Sequence, residues 1–504
     1  MPEAPTQAEA GPRAPSATRR LLLVCLLLLA ISLPARLVNL GAPPLDRHDF
    51  RQTQTAITVW TFLKGGPSVL HYQTPVLGPP WEVPFELPLF QLSAFAVARA
   101  SGLPLDLACR LTALLWFYSS AWALFALVRS RGGLRLATAS LAVYLLTPFT
   151  LVWSRAVLID FAAVALSLGG LHLGLTWLAT RRLWPAAFAL LLGALAGMTK
   201  LTTLVGVLAA GAVLGFDDLR RAVRSGPLPG RLRAAAFSAA LAAIPLGAGV
   251  VWTRWADRIK AAQPATAWLT SERLWAWNFG TLAQRASWEP WGEILGRIGE
   301  ALLPGALVLA VPLALASIRH GSRERRTLVA GALVGTLVPI LVFFNLYAVH
   351  DYYLIAAAPF LAILGGAGVL HGVSLLDAAG GRRWIGPVLL VIVLSSIPSW
   401  GYARAAYEVS SEAPIARLGR LIALTTRPDQ WVAVQGDQWS SRILYSARRR
   451  GFMIWDGHTD VTPLAGRPEF GALACKECTP ALLSLFPRRE LVGREADFDL
   501  YRLW

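Results

Sequence analysis

Residues that could carry out chemistry are concentrated in a polar segment, residues 43–56, directly after the first apolar run. Two carboxylates, Asp46 and Asp49, lie there with His48 and two arginines. A carboxylate can accept a proton, and neighbouring cations can hold an anion. The alternative is a solvated loop whose charges anchor a helix end. We favour a reactive site, because most other polar clusters that are not basic loops fall on the same predicted side of a membrane.

Lys200 is the second candidate, because of its depth. It separates two short apolar runs, 184–199 and 201–216. Each has about sixteen residues, where about twenty are needed to cross a bilayer. A lysine in hydrocarbon costs about 2.5–3.5 kcal/mol on insertion scales, so it needs a partner. We therefore expect Lys200 just inside the membrane boundary, facing protein or water.

The composition indicates a polytopic membrane protein. The chain has 504 residues, of which 55% are hydrophobic and 15% charged, whereas a soluble domain usually has about 25% charged residues. The net charge of +17 comes with 47 Lys and Arg residues. Arginines cluster in short loops between apolar runs, which is typical of cytoplasmic loops. No stacking or groove-reading pattern accompanies them, so we expect the lipid bilayer, and no nucleic acid, as a partner.

The apolar runs predict about eleven spans. The first follows Arg19 and Arg20, and we interpret it as a retained span, because no convincing signal-peptide cleavage site follows. All the arginine-rich loops then fall on the N-terminal, cytoplasmic side. An odd number of spans places the last hundred residues outside. The other predicted spans are at about 106–128, 134–152, 160–180, 184–199, 201–216, 234–254, 301–318, 327–347, 353–372 and 385–400.

Three domains are expected. Residues 1–18 are rich in Ala, Pro and Glu and predict a disordered cytoplasmic tail. Residues 19–400 form the transmembrane domain, and residues 401–504 a small external α/β domain. The first external loop, residues 41–104, is too polar to span, and amphipathic helices on the membrane surface would suit it.

The external domain has its own sequence signals. Residues 431–436 and 452–455 predict short strands, and residues 412–425 and 480–486 predict helices. The pair Cys475 and Cys478 is too small for a structural zinc site, which needs about four ligands. We expect a local disulfide in an oxidising compartment.

Five motifs, taken in order, resemble a known family. They occupy residues 48–56, 84–88, 154–160, 197–200 and 350–353. In this order they are similar to the GT-C superfold of membrane glycosyltransferases that use polyprenyl-phosphate sugars, among them protein O-mannosyltransferases and aminoarabinose transferases. The resemblance covers most of the membrane part. It implies an all-α polytopic fold with a small external α/β domain.

The resemblance also implies a function. It is the transfer of a sugar from a polyprenyl-phosphate donor to a glycolipid, polysaccharide or protein, on the external face of a bacterial inner membrane. The first loop of the family holds an active-site carboxylate, which we match to Asp49, with Asp46 in reserve. The aminoarabinose branch has a Phe-Glu-Lys-Pro unit, where this chain has Leu87 in place of the lysine. We expect Arg51 or Lys200 to replace its phosphate contact.

Expected roles follow for the remaining residues. The catalytic candidates are Asp49 and Asp160. A divalent cation at these two carboxylates is left open, and no other cofactor is expected. The donor and its phosphate are expected to contact Arg51, Arg155, Lys200, His350, Tyr352 and Tyr353. The acceptor or a secondary site is expected to contact His48, Gln52 and Glu86, with tryptophans of 268–291 lining an acceptor groove.

Structural alternatives exist for most of these side chains. Asp49 could cap a helix, and Asp160 could form an ion pair with Arg155. The tyrosine pair could belong to an aromatic belt at the membrane interface. Arg155 and His350 could be snorkelling side chains.

Three other classes of protein are alternatives for a chain with this composition. A lipid-linked oligosaccharide polymerase or ligase usually has a large external loop between late spans, and the late loops here are short. A transporter or flippase predicts charges along a midplane path and internal repeats, and no sustained repeat is visible. A non-enzymatic assembly protein would need no carboxylate–cation cluster.

Overall fold

The computed structural model describes residues 17–225, 227–455, 460–464 and 467–504. The predicted tail at 1–18 lies outside the described residues except for its last two, which already belong to the first helix. The described chain is mostly helical, with one five-stranded sheet near its C-terminal end.

Twenty α-helices are assigned within the described residues. They are α1 Ala17–Leu37, α2 Asp49–Gly65, α3 Leu89–Ser101, α4 Leu105–Leu146, α5 Pro148–Trp153, α6 Asp160–Thr180, α7 Leu183–Ser225, α8 Leu228–Ala261, α9 Trp275–Phe279, α10 Leu282–Ala286, α11 Trp288–Arg297, α12 Ala310–His320, α13 Arg323–Val342, α14 Phe344–Val349, α15 Ala358–Ala378, α16 Ile385–Ser395, α17 Trp400–Tyr407, α18 Pro414–Thr425, α19 Arg442–Ala447 and α20 Pro480–Ser484. Short 3₁₀ or π turns lie at Ala267–Leu269, Ile298–Leu302, Gly305–Leu309, Asp351–Ala356, Arg382–Trp384, Ile397–Ser399 and Thr462–Leu464.

Long apolar helices make this a multi-pass membrane protein. Among the described residues, eight helices are long and apolar enough to cross a membrane, or nine if the bent pair Trp288–Leu302 and Gly305–Arg319 is one span. Two of the eight, α4 and α7, are each interrupted by a residue with non-helical backbone angles, Gly133 and Lys200.

Both interrupted helices fold back on themselves. In α4 the Ser120 and Tyr144 hydroxyls are 2.8 Å apart although 24 residues separate them, a distance of about 36 Å along a continuous helix. Adjacent residues of α6 touch both halves of α7, since Gly170 packs on Gly193 and Leu171 packs on Gly211. If each half of α4 and of α7 is counted as one crossing and the bent pair as one more, the helices give eleven crossings, which is the number predicted.

The outermost helices present apolar side chains outward. No residue of α16 is buried, and its exposed side chains include Leu389, Leu390 and Val391. Such a surface suits lipid rather than water. By contrast, α6 is buried along most of its length, so it lies at the centre of the bundle and can hold a functional group firmly.

The C-terminal domain is built on a mixed sheet in the order β2-β1-β3-β5-β4. The pairs β1–β2 and β1–β3 are parallel, whereas β3–β5 and β4–β5 are antiparallel. The sequence predicts β1 and β2, and it misses the other three strands. The predicted disulfide between Cys475 and Cys478 is confirmed. The strands are β1 Trp431–Gln435, β2 Gly451–Ile454, β3 Phe470–Cys475, β4 Arg489–Glu495 and β5 Phe498–Leu503.

The first loop is joined to this sheet. The Met453 amide donates to the Val76 carbonyl at 2.8 Å, and the Gly451 amide donates to the Pro75 carbonyl at 3.1 Å. The loop thereby covers the edge of β2, which would otherwise present unpaired backbone groups. Its helix α2 is buried on nearly all sides from Gln52 to Val59, so it does not lie open on a membrane surface. The first loop and the C-terminal domain therefore form one unit.

Candidate active site

The start of α2 sets the position of the first-loop side chains. His48, the residue before the helix, has left-handed backbone angles (φ 55°, ψ 45°) and makes no side-chain capping bond. Histidine is one of the few residue types found often in that conformation. Asp49 is the first residue of α2, where the helix dipole favours a negative charge. Asp49 is therefore not the N-cap, and its carboxylate is available for other contacts.

Asp46 and Gln52 hold this loop in place. Arg110 donates to the Asp46 carboxylate at 3.0 Å, and the two side chains are 0% and 4% exposed, respectively. Gln52 donates to Asp46 and accepts a hydrogen bond from the Val157 amide at 2.9 Å. Both side chains are therefore used to bind the loop to neighbouring parts of the bundle. These contacts give Gln52 and Asp46 an architectural role, and the predicted acceptor contact of Gln52 stays a prediction.

Arg155 is also occupied elsewhere. Its guanidinium donates to the carbonyls of Val38 and Asn39 at 2.6 and 2.9 Å, just beyond the end of α1. Carbonyls at a helix end lack partners within the helix and favour a cation. It also lies over the Tyr407 ring, 4.6 Å from the ring centroid. These contacts do not include the other predicted donor-binding residues, so the structure does not favour Arg155 as a phosphate ligand.

Lys200 has the partner that its depth requires. Its ammonium forms an ion pair with Asp160, the first residue of α6, and the two side chains are 11% and 3% exposed. The expected pairing of Asp160 with Arg155 is therefore replaced. The Lys200 ammonium also lies 4.9 and 4.4 Å from the ring centroids of Tyr352 and Tyr353, within cation–π range. The break in α7 thus presents a fixed cation at the end of the bundle.

Two histidines join this cluster. The His48 ring lies 4.8 Å from the His350 ring and 4.5 Å from the Tyr352 ring. Burial, with nearby His350, Arg51 and Lys200, lowers the pKa of His48 to about 3. Burial, together with Arg51 and Lys200, also lowers the pKa of His350, to about 4. Both imidazoles are consequently neutral near pH 7.

Arg51 and Glu86 form the next charged pair. Their side chains are 3.7 Å apart and partly buried, and the Arg51 guanidinium lies 5.6 Å from the Phe85 ring centroid. Burial opposes the charge of Arg51, but Glu86, with Asp160 and the two tyrosines of the cluster, raises the pKa of Arg51 above its ordinary value. Lys200 and Arg51 therefore form two cationic positions close to the same tyrosines.

Asp49 faces the C-terminal domain. Its carboxylate accepts from Arg442 at 3.1 Å, and Arg442 also binds Asp437. The Thr53 and Ser441 hydroxyls are 2.8 Å apart beside this pair. Together, Asp437 and Asp49 raise the pKa of Arg442 although burial opposes it. The first loop and the segment after β1 thus share one charged interface.

Sequence reasoning missed the contribution of the C-terminal domain. Asp437, Trp439 and Arg442 follow β1 directly, in a polar segment at a strand end, where functional loops often lie. That signal exists in the sequence, but nothing in it connects the segment with Asp49. Sequence reasoning also missed Lys260, which lies in the last turn of the apolar helix α8. Its ammonium forms an ion pair with Asp257 at 3.0 Å.

No metal-binding group is formed by the part of the chain that the structure describes, since no three His, Cys, Asp or Glu side chains gather there. The two carboxylates considered for a divalent cation, Asp49 and Asp160, are each paired with a basic side chain. A divalent cation at Asp49 and Asp160 stays a prediction.

Solved structures share this architecture. ArnT from Cupriavidus metallidurans bound to undecaprenyl phosphate is 16% identical, with a TM-score of 0.60 over 97% of this chain and 98% of that chain. The Archaeoglobus fulgidus oligosaccharyltransferase in complex with Zn and sulfate is 11% identical, with a TM-score of 0.56 over 90% of this chain and 68% of that chain. Both neighbours are membrane glycosyltransferases of the GT-C type. The chain has the GT-C fold.

A third structure with the GT-C fold is archaeal AglB from Archaeoglobus fulgidus, in complex with an inhibitory peptide and a dolichol-phosphate. It is 13% identical, with a TM-score of 0.55 over 92% of this chain and 70% of that chain. No protein-family model matches the sequence, and no curated protein matches it. The GT-C fold expected from the five motifs is confirmed, and the roles of individual site residues stay predictions.

Proposed function

We propose that the protein transfers a sugar from a polyprenyl-phosphate donor to an acceptor on the external face of a bacterial inner membrane. The observation that carries the proposal is the pair of fixed cations, Lys200 and Arg51, beside Tyr352 and Tyr353 in a GT-C fold. Two GT-C structures that the chain resembles contain undecaprenyl phosphate and dolichol-phosphate.

The two cations bind the donor phosphate. When the bond between the sugar and the phosphate oxygen breaks, its electron pair goes to the phosphate, which gains negative charge. Fixed cations stabilise that charge without having to reorganise. Lys200 and Arg51 are each held by one carboxylate, Asp160 and Glu86. An ammonium has three donors and a guanidinium five, so donors remain for a phosphate.

Asp49 is the general base. Of the three carboxylates considered as the base, Asp49 has the most exposed side chain, at 24% against 15% for Glu86 and 3% for Asp160. An acceptor arriving from outside therefore reaches Asp49 first. The acceptor oxygen attacks the anomeric carbon from the side opposite the phosphate, which inverts that centre. The hydroxyl proton passes to Asp49 while the new bond forms.

The neutral histidines fit this scheme. A neutral imidazole has one donor and one acceptor nitrogen, so His350 can bond to the phosphate or the sugar without adding charge. Because Lys200 and Arg51 lie close, a charged imidazole would be repelled. His48 packs against both His350 and Tyr352 and helps to hold both rings.

The test is an assay for released lipid phosphate. Purified protein in lipid nanodiscs is incubated with a panel of polyprenyl-phosphate sugars and candidate acceptors. We expect at least one donor to release polyprenyl phosphate together with a glycosylated acceptor. Arg51→Ala should lower that rate, whereas Lys476→Ala, on an exposed side chain of the C-terminal domain, should not. A flippase would move donor without releasing lipid phosphate, and that outcome would reject the proposal.

A further inference from the structure

Aromatic side chains from three distant parts of the chain meet beside Asp49. Phe50 and Phe85 belong to the first loop, Trp268 to the segment after α8, and Trp439 to the C-terminal domain. The Trp439 ring lies 4.6 Å from the Phe50 ring, 6.0 Å from the Phe85 ring and 5.3 Å from the Trp268 ring. We call these four residues the aromatic wall, with Trp439 at its centre.

The aromatic wall lies at the margin of a packed core, against which Phe85, Trp268 and Trp439 pack. All four of its side chains are partly exposed, whereas core aromatics such as Phe117 and Trp153 are fully buried. Four large rings that are partly exposed at one place form a small apolar surface, which a bound ligand can contact. Because the rings come from three segments, the wall exists only when the C-terminal domain is docked.

Charged groups border the aromatic wall. Asp49 adjoins Phe50 in the chain and binds Arg442, which lies three residues after Trp439. At Phe85, the Arg51 guanidinium and the Lys260 ammonium lie over the ring, 5.6 and 5.4 Å from its centroid. A sugar ring has an apolar face of C–H groups and an edge of hydroxyls. Aromatic faces suit the first, and carboxylates and guanidinium groups suit the second.

We propose that the aromatic wall is the acceptor subsite, that the acceptor presents a sugar ring to it, and that Trp439 determines specificity there. This inference rests on the proposed function and narrows it, since a glycolipid or a polysaccharide would be accepted and a bare peptide would not. A ring stacked on the wall at Trp439 has a hydroxyl close to Asp49, because Asp49 binds Arg442, three residues after Trp439. The C-terminal domain thus contributes directly to recognition.

Saturation-transfer NMR tests the inference on the full-length protein. The probes are methyl α-mannopyranoside, methyl β-glucopyranoside, N,N′-diacetylchitobiose and a serine-rich peptide. Saturation of aromatic protein protons should reach the C–H protons of at least one saccharide and not the peptide. The saccharide that responds is then attached to a short lipid. Tighter binding of this lipid-linked form indicates a glycolipid acceptor, and tighter binding of the free saccharide indicates a glycan acceptor.

Matched variants give the decisive comparison. Trp439→Ala should weaken saccharide binding about tenfold or more, Trp439→Phe should restore most of it, and Trp504→Ala, on a tryptophan exposed elsewhere, should change nothing. Binding of polyprenyl phosphate should be equal in all four proteins, which also shows that they are folded. If Trp439→Ala unfolds, Trp268→Ala replaces it.

Two results would overturn the inference. One is saturation of no saccharide, or of the peptide alone; the other is saccharide binding that survives Trp439→Ala. If lipid phosphate is still released from a donor in either case, the acceptor assignment fails and the proposed function stands. If no donor is turned over, the proposed function itself fails.

Discussion

Asp46 and Asp49 lie three residues apart and have opposite environments. Asp46 is buried against Arg110, whereas Asp49 is partly exposed on the side of the C-terminal domain. The sequence alone suggests Asp46→Asn, a substitution with little expected effect, as the control for Asp49→Asn. The structure makes that choice wrong, because removing one partner of a buried ion pair typically costs about 3–5 kcal/mol.

Asp49→Asn should therefore fold, bind the donor and lose transfer activity by about 10²-fold or more, since asparagine keeps the shape but not the basicity. Initial rates of lipid-phosphate release and donor affinity measure the two effects. Asp429→Asn, on a side chain that is 76% exposed, is the control. Should Asp49→Asn remain active while Glu86→Gln is inactive, the base is Glu86.

Lys200 should dominate donor binding. Lys200→Ala would leave Asp160 charged and unpaired, so the double variant Lys200→Met with Asp160→Asn is the cleaner test. We expect it to fold and to bind polyprenyl phosphate more weakly, by roughly 1.5–3 kcal/mol for a lost charge-assisted bond. Lys200→Arg should restore only part of the affinity for polyprenyl phosphate, because the planar guanidinium differs in shape from an ammonium. Equal affinity in the double variant and the wild type would remove Lys200 from the site.

The two histidines predict a dependence on pH. Their folded-state pKa values, about 3 for His48 and about 4 for His350, lie below the ordinary value of about 6.5. The unfolded chain therefore binds more protons between about pH 4 and 6.5, and stability falls as the pH is lowered through that window. The melting temperature should drop from pH 7 to pH 4.5. His48→Asn, which tolerates the left-handed backbone, should show a shallower drop, and an unchanged slope would contradict this assignment.

At the scale of the helices, hydropathy predicts the spans and the break at Lys200, because both depend on local sequence. By contrast, the contacts that fix Arg155 and Gln52 do not depend on local sequence, so hydropathy does not predict them. Arg155 binds a carbonyl 117 residues away, and Gln52 an amide 105 residues away. A short motif identifies a polar cluster, but it does not say which members face substrate and which hold the backbone. That division depends on pairings between distant segments.

The position of Lys200 also depends on close packing of α7 against α8. A Cβ atom at Gly197 would overlap the carbonyl oxygen of Pro245, so the two helices approach as closely as small residues allow. Gly197→Ala should destabilise the protein by about 1–3 kcal/mol through overpacking, and it should weaken donor binding by displacing Lys200. Gly247→Ala, where a Cβ meets nothing within 4 Å, is the matched control in thermal unfolding. Similar melting temperatures for Gly197→Ala and Gly247→Ala would show that the packing of α7 against α8 can adjust to an added methyl group.

At the scale of the whole molecule, the sidedness of the membrane is the main expectation to test. Reporters fused after Arg224 and Arg325 should be cytoplasmic, and a reporter fused after Trp504 should be external. The reason is the arginine-rich loops, which collect on one side. A cytoplasmic reporter at the C-terminus would reject both the crossing number and the external placement of the active site.

The pairing of the first loop with β2 affects how the protein is made. Arg450, next to that strand, binds Gln73 of the first loop, 377 residues earlier. At about 5–20 residues per second, a ribosome needs about 20–75 s to synthesise the intervening chain. For that time the first loop lacks its backbone partners on β2, and the proposed site lacks Arg442 and Trp439. The proposed site is therefore completed only after the C-terminal domain has been synthesised, and any factor that shields the waiting loop would govern how many molecules mature.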